Sequence, residues 1–137
     1  MSVELEEGAE PGPELLGRLQ GWCVLVAEDS FLIANDLARR LTEAGAQVLG
    51  PFADLASAHR ALDAHTPPKL AAILDVQLRD GLIYGLADRL AELGAPMVFA
   101  TGYDKADLRA PYDAYPFGLK SMEAGGLLYL LAEALEP

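Results

Sequence analysis

Three short runs of uninterrupted apolar residues constrain the fold of this chain more than any other feature. They span Trp22–Ala27, Leu70–Leu74 and Pro96–Ala100. Such runs are typical of strands that are buried on both faces of a parallel sheet. The segments between them carry apolar residues at helical spacing, so strands and helices alternate along the chain. This alternation predicts right-handed crossovers and a doubly wound α/β domain with helices on both faces of the sheet.

Weaker elements complete five β–α alternations. Two further strands are predicted at Gln47–Gly50 and Tyr115–Leu119. Helices are predicted at Phe31–Ala44, Leu55–Ala64, Tyr84–Leu93 and Met122–Leu135. Phe31 is expected on the apolar face of its helix, together with Ala34 and Leu37. The segment between Gly102 and Tyr115 contains a proline and few periodic apolar residues, so the fourth helix is expected to be short or absent.

The N-terminal stretch differs from the rest of the chain. Residues 1–13 carry acids, glycine and two prolines, which predicts a disordered tail. Residues 14–20 are compatible with a short helix that Gly17 weakens. The predicted organisation is therefore an acidic tail or short helix over 1–20 and one α/β domain over 21–137.

Composition excludes several classes of function. The chain has 137 residues, enough for one domain, and its hydrophobic content of 52% argues against a disordered protein. A net charge of −11 argues against binding to nucleic acid or to an anionic membrane. The lone Cys23 excludes an internal disulfide and fits a reducing compartment. No apolar stretch is as long as a membrane span, which needs about 18 residues. The acidic N-terminus is unlike a signal peptide. A cytoplasmic location is expected.

Polar side chains follow four of the predicted strands. Glu28 and Asp29 follow the first, Asp75 the third, Thr101 the fourth and Lys120 the fifth. Because the carboxyl ends of parallel strands meet at one edge of a sheet, we expect these side chains to lie close together. Crowded carboxylates repel one another unless a cation joins them, and Mg²⁺ prefers such oxygen ligands. The sequence therefore predicts a magnesium site at this edge.

The same residue types suit transfer of a phosphoryl group. Asp75 is the candidate nucleophile, because a carboxylate can attack phosphorus and form an acyl phosphate. Lys120 supplies a cation that helps to neutralise the transferred group. Thr101 offers a hydroxyl to a phosphoryl oxygen, and Gly102 leaves its backbone N–H unobstructed nearby.

This set of residues resembles the response-regulator receiver domain of bacterial two-component signalling, over about residues 21–137. The resemblance implies a flavodoxin-like, five-stranded parallel sheet with strand order 2-1-3-4-5. It also implies that Glu28 and Asp29 hold Mg²⁺, that Asp75 is the phospho-acceptor, and that the backbone carbonyl of Gln77 ligates the metal.

The resemblance extends to the residues that signal the phosphorylated state. Thr101 matches the switch Ser/Thr, Lys120 the invariant lysine and Phe117 the aromatic switch. The motif FATGY at residues 99–103 is similar to a subgroup of stand-alone receivers that pair with HWE-type or related histidine kinases, in which the fourth helix is often reduced. Ser121 departs from the family, which usually has proline there, so the loop after the last strand is expected to differ.

Structural roles remain open for the same residues. Asp75 could cap a turn, and Glu28 and Asp29 could cap the helix that begins at Phe31. Thr101 could be an ordinary strand-end residue and Lys120 an ordinary surface lysine. Phe117 and the leucines of the last helix could belong to the core.

The leading interpretation is a single-domain response regulator, a phosphoprotein that signals by protein contact or phosphorelay. Its expected partners are a histidine kinase or a phosphotransfer protein, and it is expected to be a monomer or weak dimer. No output domain is expected, because the chain ends directly after the last helix. The chain is not expected to be an enzyme beyond catalysing its own phosphorylation and dephosphorylation.

Other functions on this architecture are less well supported. A degenerate receiver that acts only as an interaction module is the main alternative, and Ser121 favours it. An aspartyl phosphohydrolase is disfavoured because Gln77 stands where a second acid is usual. A flavin site is disfavoured because Glu28 and Asp29 would repel a phosphate.

Overall fold

The computed structural model describes residues 11–102, 108–119 and 124–135. The strands in this part of the chain are β1 (Cys23–Ala27), β2 (Gln47–Phe52), β3 (Leu70–Asp75), β4 (Gln77–Leu78), β5 (Gly81–Leu82), β6 (Met97–Thr101) and β7 (Phe117–Leu119). The α-helices are α1 (Pro13–Leu16), α2 (Phe31–Glu43), α3 (Leu55–Ala64), α4 (Tyr84–Glu92) and α5 (Ala124–Ala134). No helix among the described residues has the length and apolar character needed to cross a membrane.

Five of these strands form one parallel sheet in the order β2-β1-β3-β6-β7. Counted by these five strands, the order is 2-1-3-4-5, which confirms the predicted topology. The short strands β4 and β5 form a separate antiparallel hairpin directly after β3. The order along the sheet reverses beside β1, so β1 and β3 border the crevice where such sheets bind ligands.

The central strands are buried on both faces, as their apolar runs predicted. Every residue of β1, β3 and β6 is buried. Alternate side chains enter opposite layers: Leu25 packs with α3 and α4, whereas Val24 and Val26 pack with α2 and α5. Burial of one such side chain contributes about 1.5–3 kcal/mol, so the two layers together hold the helices against the sheet.

Helix α2 departs from the predicted apolar face at its first residue. Leu37 and Leu41 are buried against the sheet, but Phe31 is 76% exposed and the neighbouring Leu32 is 80% exposed. The expectation that Phe31 lies on the buried face is therefore wrong. Helical spacing predicts a direction around the helix axis, but α2 begins at the carboxyl edge of the sheet, where its first two residues extend beyond the core.

The segment between β6 and β7 contains no α-helix in its described part. That part includes a 3₁₀ turn at Tyr112–Ala114, and residues 103–107 lie outside the described ranges. Tyr112 is 3% exposed, its ring centroid lies 5.4 Å from that of Phe99, and its hydroxyl donates a hydrogen bond to Asp88. Aromatic packing thus holds this segment against the sheet where a fourth crossover helix was expected to be reduced.

Part of the N-terminal stretch packs onto the domain. Helix α1 contacts α5, and Leu19, in the 3₁₀ turn after α1, is completely buried. The guanidinium of Arg18 donates hydrogen bonds to the carbonyl oxygens of Ala132 (3.4 Å) and Leu135 (3.3 Å) at the end of α5. Residues 1–10, most of the predicted acidic tail, lie outside the described ranges.

Candidate functional site

Three carboxylates converge at the carboxyl edge of the sheet. One oxygen from each of Glu28, Asp29 and Asp75 lies within 4.8 Å of the others. Glu28 and Asp75 are each 4% exposed, whereas Asp29 is half-buried. The strands explain the convergence, since Ala27 of β1 pairs with Leu74 of β3. The residues that follow this pair are therefore delivered to the same place.

Backbone amides orient the two buried carboxylates. Ser30 N–H donates to Glu28 Oε2 at 2.9 Å, and Gln77 N–H donates to Asp75 Oδ1 at 3.3 Å. Each bond joins a carboxylate to the amide two residues further along the chain, which is a common local turn for an acidic side chain. The strand ends and these turns together hold the acids side by side.

The donor set fits a hard divalent cation. Three carboxylates this close repel one another, and repulsion grows where burial lowers the local dielectric. Carboxylate oxygens are the ligands that hard divalent cations prefer in proteins. The acidic cluster could therefore hold a metal ion at the edge where the sequence predicted one.

A buried hydroxyl lies on the neighbouring strand. Thr101 is the last residue of β6, and its neighbour Ala100 pairs with Asp75. Thr101 is 0% exposed, and its Oγ1 has no hydrogen-bond partner among the described residues. Leaving such a group unpaired costs about 1–3 kcal/mol. Gly102 follows at an exposed position, and a Cβ built on it would meet nothing within 4 Å.

Among the remaining predicted residues, the structure describes Phe117 and Gln77. Phe117 is the first residue of β7, is half-buried and pairs with Phe99 of β6. Lys120, Ser121 and Tyr103 lie outside the described residues, so the roles expected of them stay predictions. Gln77 begins β4, and its backbone is tied to Asp75 by the amide bond described above.

The dipeptide Asp80-Gly81 is typical of a loop. In the structure the Asp80 carboxylate accepts hydrogen bonds from the backbone N–H groups of Leu55 (2.7 Å) and Ala56 (3.2 Å) at the start of α3. The bond from Leu55 is the main reason that the pKa of Asp80 is lowered. The Asp-Gly pair indicates a turn, but no local signal names a partner 25 residues away.

Exposed apolar side chains lie at the same edge of the sheet as the acidic cluster. Among the described residues, five large hydrophobic side chains are exposed, and four of them lie at the carboxyl edge of the sheet: Phe31 (76%), Leu32 (80%), Leu82 (40%) and Leu119 (37%). The fifth, Leu93, follows α4 at the opposite edge. We name the first four the apolar rim.

The chain is similar to a curated protein over most of its length. None of the known protein-family models matches the chain. The transcriptional regulatory protein PdtaR of Mycobacterium tuberculosis is 32% identical over 114 residues, which cover 79% of this chain and 48% of PdtaR. The chain thus spans about half the length of this curated relative.

Solved structures extend the similarity to the whole fold. SdrG from Sphingomonas melonis Fr1 is 28% identical with a TM-score of 0.70, over 86% of this chain and 98% of SdrG. The BeF3-activated conformation of SdrG from Pseudomonas melonis Fr1 is 30% identical with a TM-score of 0.64, over 82% and 95% of the two chains. The response regulator PhyR from Brucella abortus shares the fold, with 22% identity and a TM-score of 0.71 over 89% of this chain and 51% of PhyR.

The parallel sheet, its strand order and the acids after β1 and β3 define a receiver-type domain. Similarity to SdrG over nearly all of its length agrees with this assignment. The chain belongs to the response-regulator receiver family.

Proposed function

We propose that this chain accepts a phosphoryl group on Asp75 from a histidine kinase, in a reaction that depends on Mg²⁺. The observation that carries the proposal is the convergence of Glu28, Asp29 and Asp75 within 4.8 Å at the edge of the sheet. The buried hydroxyl of Thr101 on the adjacent strand supports it. So does membership of the response-regulator receiver family.

The acids and the backbone of Gln77 would hold the metal. The carboxylates of Glu28, Asp29 and Asp75 are its candidate ligands, and the carbonyl of Gln77 joins them on the family pattern. When bound, Mg²⁺ supplies positive charge that offsets the negative charge of the transferred group.

Asp75 is the nucleophile of the proposed transfer. One of its carboxylate oxygens forms a bond to phosphorus while the P–N bond of a phosphohistidine breaks. The imidazole leaves with the electron pair of that bond and takes a proton from solvent. The product is an acyl phosphate, which water later hydrolyses to the free carboxylate and inorganic phosphate.

Other residues of the chain stabilise the transferred group by position and charge. The Thr101 hydroxyl donates to a phosphoryl oxygen, which would provide the partner that the described residues do not offer. The N–H of Gly102 and the ammonium of Lys120 have the same role on the family pattern. The chain thereby catalyses its own phosphorylation and acts on no other substrate.

The apolar rim favours a protein as the phosphoryl donor. Exposed apolar surface is typical of sites that contact a protein, and the rim lies at the same edge of the sheet as Asp75. A small phosphorylated metabolite needs no such surface. The FATGY motif suggests a donor of the HWE type, and a phosphotransfer protein offers the same chemistry. Because such kinases draw their phosphoryl group from ATP, the proposal includes a cytoplasmic location. It also includes a monomer or weak dimer as the working form.

The signal would leave by protein contact or by phosphorelay. Phosphorylation adds negative charge beside Thr101, and the loops after β6 and β7 are the expected readout, with Thr101 and Phe117 as switch residues. The net charge of −11 disfavours nucleic acid as a direct target.

Intact-protein mass spectrometry tests the chemistry. Wild type and Asp75→Asn are incubated with acetyl phosphate or phosphoramidate, with and without Mg²⁺. We expect one phosphoryl adduct that requires both Mg²⁺ and Asp75. A second measurement, the NMR spectrum of the backbone amides, reports whether Mg²⁺ binds. If wild type gives no adduct with any donor and Mg²⁺ leaves this spectrum unchanged, the interaction-module alternative replaces the proposal.

A second arm tests the protein donor. The rate of phosphorylation is measured for wild type and for Phe31→Ser. The donors are a panel of autophosphorylated HWE-type kinases and, separately, phosphoramidate. Since Phe31 is largely exposed, its loss should leave folding and the reaction with phosphoramidate unchanged but slow transfer from the cognate kinase. Equal rates with every kinase would remove the rim from the docking surface.

A further inference from the structure

The hairpin that directly follows the phospho-acceptor cannot hold its own shape. Strands β4 and β5 contain two residues each and are joined by the turn at Arg79 and Asp80. Gly81 closes the turn with a φ of 147°, a conformation that favours glycine. An isolated two-stranded hairpin is at best marginally stable in water. Contacts outside the hairpin must therefore determine where it lies.

Those contacts come from the start of α3. The Asp80 carboxylate accepts from Leu55 N at 2.7 Å and from Ala56 N at 3.2 Å, so both of its oxygens are engaged. The neighbouring Arg79 N–H donates to the carbonyl oxygen of Ala53 at 3.3 Å. Free N–H groups in the first turn of a helix, together with the positive end of its dipole, favour such an anion.

Helix α3 already has a cap of its own. Asp54 occupies the N-cap position, and its side chain accepts from Ser57 N at 2.7 Å. The hydrogen bonds that Asp80 accepts are therefore additional to local capping, and the bond from Leu55 joins two segments 25 residues apart in sequence. Their distinctive effect is on the hairpin rather than on the helix.

The base of the hairpin is hydrogen-bonded to the acidic cluster. Gln77 N–H donates to Asp75 Oδ1 at 3.3 Å, and Ile83 N–H donates to the carbonyl oxygen of Val76 at 2.8 Å. On the far side, Glu28 N–H donates to the carbonyl oxygen of Phe52, directly before Ala53. The loops after β1, β2 and β3 are thus joined by hydrogen bonds around the three acids.

We infer that Asp80 is a positioning residue, which anchors the β4–β5 hairpin to α3 and thereby holds the backbone of Gln77 beside Asp75. The inference rests on the proposed function, in which that backbone helps to bind the metal. Asp80 itself touches no reacting atom, and its effect reaches the site through the hairpin. Outer groups of this kind commonly alter metal affinity without ligating the metal.

Two measurements on the full chain test this role. Isothermal titration calorimetry gives the affinity for Mg²⁺, and amide hydrogen exchange without metal reports the opening of the hairpin at Ile83 N–H. Variants Asp80→Ala and Asp80→Asn are compared with Asp54→Ala. The last variant removes the same charge from the same end of α3, and the hydrogen bond that it breaks, to Ser57 N, lies within the start of the helix.

We expect Asp80→Ala to weaken Mg²⁺ binding roughly 10-fold and to speed exchange at Ile83. Asp80→Asn retains an acceptor oxygen, so its Mg²⁺ affinity and its exchange rate at Ile83 should lie between those of wild type and Asp80→Ala. Asp54→Ala should change neither by more than about twofold. Equal effects of Asp80→Ala and Asp54→Ala on both readouts would reduce Asp80 to a second helix cap and overturn the inference.

The exchange readout separates this inference from the proposed function. If wild type binds no Mg²⁺, the proposed function fails, and exchange alone then decides whether Asp80 anchors the hairpin. Faster exchange at Ile83 in Asp80→Ala, but not in Asp54→Ala, supports the anchor. Unchanged exchange in Asp80→Ala overturns it.

Discussion

Replacement of Thr101 by valine should stabilise the protein and at the same time weaken its response to a phosphoryl group. The side chain is 0% exposed, and its Oγ1 lacks a hydrogen-bond partner among the described residues. Valine has nearly the same shape, also favours strands and replaces the unpaired hydroxyl by a methyl group. The change therefore removes a desolvation cost without opening a cavity.

The expected gain follows from the cost of an unpaired buried hydroxyl. We expect the free energy of unfolding to rise by about 1–2 kcal/mol, within the range for such groups. For a domain of this size, that gain corresponds to a rise in Tm of about 3–7 °C. Thr101→Ser is the matched control, because it keeps the hydroxyl and loses a methyl, which should cost about 1 kcal/mol.

Urea unfolding followed by circular dichroism measures both effects. Without ligand, the midpoint should increase for Thr101→Val at an unchanged m-value. With Mg²⁺ and BeF₃⁻ as a phosphoryl mimic, wild type should gain more stability than the variant. The lost bond to a charged acceptor is worth about 1.5–3 kcal/mol, equal to a 10-fold or larger loss of affinity. A destabilised Thr101→Val in the absence of ligand would show that the hydroxyl is paired in the folded protein and would refute the reasoning.

Two further predictions concern regions away from the acids. Leu19→Ala should lower the free energy of unfolding by about 2–5 kcal/mol because Leu19 is completely buried beside α5. A loss below about 1 kcal/mol on urea unfolding would mean that the segment before β1 adds little to the fold. Burial and the hydrogen bond to Asp88 raise the pKa of Tyr112 to about 12. The stability linked to this shift is present below the unfolded pKa of about 10 and is lost as pH rises towards about 12. Tyr112→Phe should show a smaller loss of stability over that range, and parallel pH profiles would contradict the linkage.

Local patterns were enough to predict the buried central strands of the sheet. Strands β1, β3 and β6 are covered by helices on both faces, so every residue in them is buried and the apolar run can be read directly. The observed bounds of β1 and β3 differ from the predicted ones by one residue at one end, and those of β6 by one residue at each end. The topological rule for parallel sheets then predicted which polar residues share an edge, and the three acids do lie together.

Other features could not be predicted from local patterns. The exposure of Phe31 depends on where the sheet ends relative to the first turn of α2, which helical spacing does not encode. The burial of Leu19 depends on a docking surface formed by α2 and α5. The partner of Asp80 lies 25 residues earlier in the chain, in a different loop.

The sequence by itself determined the fold class, the strand order implied by the family resemblance and the residues at the carboxyl edge. These depend on burial repeated along each element and on a general rule of topology. The tertiary structure alone decided the apolar rim, the docking of the segment before β1 and the anchoring of the hairpin by Asp80. These depend on distances between segments far apart in sequence, which arise only when the packed core fixes where each loop lies.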